Sequence, residues 1–185
     1  MLKRMLDIII SLFTLTLALP LLLIVSVAIY LSSPGPIFFK QKRIGLGGSE
    51  FNMFKFRSMV ANAEKKGPYF TSENDPRITK VGAFLRRTSL DEIPQILNVL
   101  KGDMSIVGPR PNVMSQKELY TEEFWNYRNS VRPGITGLAQ ATRRSDATAE
   151  ERDALDREYI EKSTVIFDLK IIMQTAAQII KKGGN

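Results

Sequence analysis

From Ile8 to Leu31 the chain reads IIISLFTLTLALPLLLIVSVAIYL, without a single charge. As a straight helix this run would reach about 36 Å, enough to cross a hydrocarbon core of ~30 Å. It is too long for an ordinary signal-peptide core, and the SSPGP that follows is not a small-residue cleavage site. Pro20 stands near its middle, where it removes the backbone donor to the Thr16 carbonyl and clashes with it, so a kink or break is predicted there. Thr14 and Thr16 lie just before it, placed to satisfy freed backbone groups. Both flanks are basic, with Lys3 and Arg4 before and Lys40, Lys42 and Arg43 after. That symmetry favours neither orientation of a span and matches a re-entrant hairpin with both ends on one face. The expected division is therefore a membrane-inserted helix over 1–34 and a cytosolic part over 35–185.

The chain has 185 residues, one domain's worth, and neither cysteine nor histidine. Disulfides, thiolate nucleophiles, imidazole bases and Cys or His metal sites are thereby excluded. Any chemistry falls to carboxylates, hydroxyls, lysines and arginines, a kit suited to oxygen-ligated Mg²⁺ and phosphate groups. The net charge of +7 points to anionic partners. Its basic residues are interleaved with acids and form no nucleic-acid module, so no nucleic acid is expected.

After the SSPGP exit come IFFKQKRIG, the turn GLGG and FNMFKFRSM, a β-hairpin pattern. Lys55 and Arg57 alternate with Phe54 and Phe56, making either a phosphate-binding face or merely a solvated one. GLGGS lacks the Gly-Lys-Ser/Thr of a P-loop and reads as a turn. Residues 62–80 are polar and read as a loop. An amphipathic stretch through Val81, Phe84 and Leu85 leads into RRTSLDEIPQ. There Ser89 and Glu92 fit a capping box, followed by Ile93, Ile96, Leu97 and Leu100 at helical spacing. The adjacent carboxylates Asp91 and Glu92 fit equally a helix start and a reactive pair beside arginines. The helix should end at Lys101-Gly102. In GPRP, prolines on both sides present Arg110 from a stiff loop. Residues 115–129 read as a surface helix carrying Tyr120, Phe124, Trp125 and Tyr127, aromatics that by default pack in the core and otherwise suit a bilayer interface, and RPGITGLAQ as another tight loop. From Glu150 the chain is helical, ending in VIFDLKIIMQTAAQIIKK, with Lys170, Lys181 and Lys182, either interfacial in lipid or part of the core.

The succession of an apolar segment broken by Pro, KFRSM, DPRITKVGAFLRRTSLDEIPQILNVLKGDMSIVGPRP, RPGITGLAQ and DLKI resembles the bacterial sugar transferase family. Within it, the chain is similar to the small monotopic polyprenol-phosphate phosphoglycosyl transferases. The resemblance implies a mainly α fold with a small β-hairpin: a re-entrant membrane helix and interfacial amphipathic helices around a compact catalytic core, monotopic on the cytoplasmic face of the bacterial inner membrane. Larger members carry extra N-terminal membrane helices, so a minimal catalytic unit is expected. The family's re-entrant helix often breaks at Ser-Pro, whereas here Leu19 precedes Pro20.

The resemblance further implies transfer of sugar-1-phosphate from a UDP-sugar to undecaprenyl phosphate with release of UMP. It implies a ping-pong course with Mg²⁺, with Asp91 as nucleophile and Glu92 as its partner in metal binding or proton handling. Arg87, Arg110 and Arg132 would hold phosphate and nucleotide groups, with Lys55 and Arg57 as further candidates. Attack of a carboxylate on a diphosphate gathers anions, which positive charge must offset. The expected partners are the UDP-sugar, the polyprenol phosphate and membrane lipid, with a homodimer through the C-terminal helix as an alternative to lipid packing. Two rivals stand apart: a glycosyltransferase would release UDP, and a basic membrane-tethered scaffold would be indifferent to Asp91→Asn.

Overall fold

The computed structural model describes residues 1–63, 67, 75–143 and 147–182, with side chains through residue 179. Helix α1 (Leu2–Ser32) is one continuous helix with Pro20 inside it, so the chain does not leave the helix at the proline. One missing donor does not outweigh the backbone bonds that propagate from both sides of it. Nor does Thr16 serve the freed groups, because its hydroxyl donates one turn back to Leu12 O at 2.9 Å. Ser26 does the same to Leu22 O at 2.7 Å.

The hairpin is as read: β1 (Phe38–Ile44) pairs antiparallel with β2 (Glu50–Phe56), from Phe38 opposite Phe56 to Ile44 opposite Glu50. GLGG forms the turn between them, with Gly47 and Gly48 at positive φ. Thr79 caps α2 (Lys80–Arg87) by accepting from Gly82 N at 2.9 Å. Residues Leu90–Gln95 form a 3₁₀ turn that passes directly into α3 (Ile96–Lys101), closed by Gly102 at φ 96°. Of the loop read over 62–80, residues 64–66 and 68–74 lie outside the described residues.

A second sheet was not legible in the sequence. Strand β3 (Ser105–Val107) runs parallel to β4 (Gly134–Thr136). Three-residue strands carry too little alternation to register as a pattern. Their contact explains the glycines of GPRP and RPGITG: a Cβ on Gly134 would fall 2.1 Å from Gly108 N, and one on Gly137 2.2 Å from Gly108 O. The segment read as one surface helix is also different. A 3₁₀ turn (Met114–Leu119) gives way at Tyr120 to α4 (Glu122–Arg128), capped by Thr121. Phe124 and Trp125 are buried, each 5.8 Å from the Tyr120 ring, so these two aromatics pack in the core, the default for them.

The short helix α5 (Leu138–Thr142) leads to α6 (Ala149–Lys162), opened by a Thr148/Glu151 capping box, and to α7 (Val165–Lys182). Helix α7 packs into the core along one side, as the core reading expects. Ile171 is fully buried with Val107, Leu138 and Tyr159, while Ile166 and Met173 are exposed. The side chains of Lys181 and Lys182 lie outside the described residues.

Both ends of α1 are tied to this one body. At the start, Lys3 Nζ meets Asp168 Oδ2 at 2.6 Å, Val107 O at 3.0 Å and Tyr159 Oη at 3.2 Å. Arg4 donates to Val99 O and Leu100 O, the final carbonyls of α3, at 2.6 and 3.1 Å. The buried Asp7 accepts from Ser105 Oγ at 2.9 Å and Ile106 N at 3.0 Å. At the far end Val25 and Ile29 pack with Phe56 and Leu85. Between these ties Ile9, Leu12, Phe13, Leu17, Leu19 and Leu23 are exposed.

Candidate active site

Strand β2 delivers Lys55 to the 3₁₀ turn that carries Asp91 and Glu92. The lysine Nζ lies 2.7 Å from Glu92 Oε1, and Arg110 Nη2 lies 3.1 Å from the same oxygen. Asn98, wholly buried on α3, fixes this register. Its Oδ1 accepts from Phe54 N at 2.9 Å and its Nδ2 donates to Asn52 O at 2.7 Å, so α3 and the 3₁₀ turn cannot slide along β2. Sequence reading passed over Asn98; an amide inside an otherwise apolar helix was its only signal.

The capping box expected at Ser89 does not form. Ser89 is left-handed at φ 55° with no side-chain cap bond, and the Glu92 carboxylate is engaged by the two cations instead. Two full charges outbid one backbone amide for it. The left-handed residue turns the chain sharply between α2 and the 3₁₀ turn, setting Asp91 and Glu92 into the body of the protein.

The two acids differ in their surroundings. Burial acts to raise Glu92, but Arg110 and Lys55 outweigh it and hold its carboxyl at about 2. Burial pushes the Asp91 carboxyl up, with Lys55 and Arg86 only partly opposing. Burial likewise lowers Lys55, against the pull of Glu92. Asp91 makes no ion pair among the described residues. The site thus pairs a carboxylate clamped by two cations with one that makes no ion pair among the described residues.

Glu92's depressed value carries a pH consequence. Its ionised form stabilises the fold above the unfolded carboxyl range, and this contribution fades as pH falls from about 4.5 toward 2. Glu92→Gln is therefore expected to flatten the stability profile across that window, measured as thermal midpoints in detergent. An unchanged slope would mean the clamp contributes nothing to the fold.

Arg110 stands on the loop after β3 as expected, and α4 secures it. Arg128 Nη2 donates to Arg110 O at 2.8 Å, while Arg128 Nε meets the buried Asp156 at 2.8 Å. Neither Arg128 nor Asp156 was singled out in the sequence, since an α4–α6 contact has no local pattern.

The other predicted arginines make contacts apart from the Glu92 clamp. Arg57 is buried at the exit of α1, donating to Ser33 O at 2.7 Å and Pro34 O at 2.8 Å, with Ile29 O at 3.4 Å. Its charge meets the carbonyl end of a helix, a favourable place for a cation. Arg132 donates its Nε to Gly102 O at 2.9 Å. Arg87 is exposed, 6.0 Å above the Phe84 ring, and its neighbour Arg86 is the one whose charge reaches Asp91 while its Nε donates to Ser58 Oγ at 3.0 Å. Both fit the LRRTSLDE motif, and only the helix phase of α2 decides between them.

A cavity of about 590 Å³ opens from Glu92 and Arg110. One wall is apolar, built from Ile10 of α1, Ile93, Ile96 and Ile172 and Ile179 of α7; Gln140 and Asp156 line it as well. Among the described residues no three carboxylates gather. Asp91 and the second oxygen of Glu92 still fit a hard ion such as Mg²⁺, which commonly takes one or two carboxylates and completes its shell with substrate phosphates and water.

The family model described as bacterial sugar transferase matches residues 1–182. The chain belongs to the bacterial sugar transferase family. It is 46% identical over 182 residues to the UDP-glucose:undecaprenyl-phosphate glucose-1-phosphate transferase of Escherichia coli (strain K12), covering 95% of this chain and 39% of that protein. It is 40% identical over 183 residues to the UDP-N-acetylgalactosamine-undecaprenyl-phosphate N-acetylgalactosaminephosphotransferase of Aeromonas hydrophila, covering 96% of this chain and 43% of that one. The chain spans well under half the length of these two. A shorter relative is the UDP-glucose:undecaprenyl-phosphate glucose-1-phosphate transferase of Caulobacter vibrioides, 41% identical over 185 residues and 69% covered.

Proposed function

We propose that this bacterial sugar transferase moves a sugar-1-phosphate from a UDP-sugar to undecaprenyl phosphate and releases UMP. The observation that carries the reading is the pair at the 3₁₀ turn: Asp91 buried without an ion-pair partner, beside Glu92 clamped by Lys55 and Arg110. A carboxylate oxygen of Asp91 attacks the phosphorus that bears the sugar. The bond to the UMP phosphate oxygen breaks, and UMP leaves with that electron pair. A phosphate oxygen of the polyprenol phosphate then attacks the same phosphorus, and the Asp91 carboxylate departs unchanged. Lys55, Arg86 and Arg110 supply the positive charge that offsets the gathered anions. Bound at Asp91 and Glu92, Mg²⁺ would add charge neutralisation on the diphosphate.

The apolar wall from α1 and α7 suits the isoprenoid chain of the acceptor. Bonding of both ends of α1 to one body suits a continuous helix bent at Pro20 that dips into the membrane and returns to the same face, here assigned to the cytoplasmic side. The protein has no native cysteine, so single-cysteine variants Leu2→Cys and Ser32→Cys provide the test. In spheroplasts and inverted vesicles, an impermeant maleimide should label both positions from the cytoplasmic side alone. Labelling from opposite sides would make α1 a span.

The reaction itself is tested by UMP release from detergent-solubilised protein given Mg²⁺, undecaprenyl phosphate and a panel of UDP-sugars. UDP as the product, or silence with every donor, would sink the assignment.

A further inference from the structure

Arg152 stands on α6 one turn before Asp156, and both line the cavity that opens from Glu92 and Arg110. It is half-buried and makes no ion pair among the described residues; its Nη2 donates to Ala147 O at a long 3.4 Å. Its charge reaches Asp156 and Asp153 without pairing with either. The acids of the cavity are served by other cations. Glu92 is held by Lys55 as well as Arg110, Asp156 is held by Arg128, and neither Lys55 nor Arg128 is part of the lining. Asp91 has the charges of Lys55 and Arg86 beside it. Cations therefore outnumber acids around this space, and the two that face into it are Arg110 and Arg152. The rest of the wall is largely apolar, with Ile10 of α1 and Ile172, Ala176 and Ile179 of α7. No aromatic side chain among the described residues lines it to stack a nucleobase, and the hydroxyls of Thr136 and Thr175 are already paired to each other at 2.7 Å.

From this geometry we infer that Arg152 binds the phosphate of the polyprenol phosphate acceptor, on the cavity it shares with Arg110, while the isoprenoid chain lies along α1 and α7; this rests on the reaction proposed above. A positive, largely apolar space selects an amphiphile, a short anionic head on an apolar tail. A cation at an apolar wall calls for an anion, and a guanidinium fork donates two parallel N–H bonds to phosphate oxygens, which only accept. The UDP-sugar carries phosphates too, but it has no apolar chain for this wall, and Lys55 and Arg86 already supply charge at Asp91. A guanidinium beside the acceptor phosphate also favours its ionised form, whose oxygen makes the attack. Arg152 forms and breaks no bond; it holds the nucleophile of the second step.

The test compares Arg152→Met and Arg152→Lys with wild type in detergent. Binding of farnesyl phosphate, farnesol and inorganic phosphate is measured by calorimetry. UMP release is followed in a single turnover with the donor alone, and at steady state with undecaprenyl phosphate. Wild type should bind farnesyl phosphate more tightly than either farnesol or inorganic phosphate. Arg152→Met should lose about tenfold or more in affinity for farnesyl phosphate and raise KM for undecaprenyl phosphate to match, with farnesol binding unchanged. Donor-alone UMP release, which needs no acceptor, should stay within about threefold of wild type. Arg152→Lys keeps the charge without the fork and should recover part of the lost affinity. Equal slowing of donor-alone release would move the contact to the nucleotide, and inorganic phosphate bound as tightly as farnesyl phosphate would make this a free-phosphate site; either overturns the inference. So would unchanged affinity in Arg152→Met, or a fallen thermal midpoint with binding lost alike in both variants, which would make Arg152 structural. Protein that binds farnesyl phosphate through Arg152 yet releases no UMP with any donor would defeat the proposed reaction and leave this contact standing.

Discussion

Asp91→Asn is expected to lower UMP release by at least about a thousandfold, the scale seen when a covalent nucleophile is removed. The carboxamide has the same shape and cannot attack phosphorus. The fold should not suffer, because Asp91 is buried without an ion-pair partner and burial already disfavours its charge. The thermal midpoint should hold or rise slightly. This separation of activity from stability is what distinguishes a nucleophile from a helix start. If Asp91→Asn still releases UMP at a comparable rate, the nucleophile lies elsewhere or is water. If it unfolds, the acid belongs to the architecture of the 3₁₀ turn. Trapping radiolabelled sugar phosphate on wild-type protein, and its absence on the variant, would place the covalent step directly.

Arg128→Met is expected to have the largest effect on stability. Arg128 and Asp156 are both almost wholly buried and pair at 2.8 Å. Removing the arginine strands a carboxylate that burial already pushes toward its neutral form, with Arg128 the main opposing influence. The expected cost is about 3–5 kcal/mol, a fall in midpoint of roughly 6–20 °C for a chain of this size. Arg110 O also loses its donor, so the loop that clamps Glu92 loosens and activity should fall with it. The double variant Arg128→Met/Asp156→Leu separates these effects. Without the stranded charge, stability should return most of the way, while the Arg110 loop stays unsupported and activity stays low. A single variant as stable as wild type would mean that Asp156 takes up a proton at little cost.

The two carboxylates sit in different electrostatic environments. Glu92 is fixed by Lys55 and Arg110 and stays ionised through the working pH range. Asp91, one residue earlier, has neither clamp. Adjacent residues of a tight turn project in different directions, so one pair of cations can hold one acid and leave its neighbour free.

Features that depend on neighbours along the chain were legible in the sequence. Alternation in IFFKQKRIG and FNMFKFRSM gave the hairpin, Lys101-Gly102 gave the end of α3, and uncharged length gave α1. The charge concentrated in LRRTSLDE and GPRP marked Glu92 and Arg110, which the fold brings within 3.1 Å, while the pattern alone left Asp91 and Glu92 open between a helix start and a reactive pair. What the tertiary structure alone decided are contacts between distant segments. It brought the charge of Arg86 into the field of Asp91 and left Arg87 exposed over Phe84, took Arg57 to the carbonyls of α1, and buried Phe124 and Trp125. It carried α1 through Pro20 and bonded both of its ends to one body, through Asp7 to Ser105 and Ile29 to Phe56. A sequence pattern records which residues want to leave water and where the backbone must turn. Which cation meets which carboxylate is settled only when packing fixes their distance, because Coulomb and hydrogen-bond energies depend on separation in space and not on spacing along the chain.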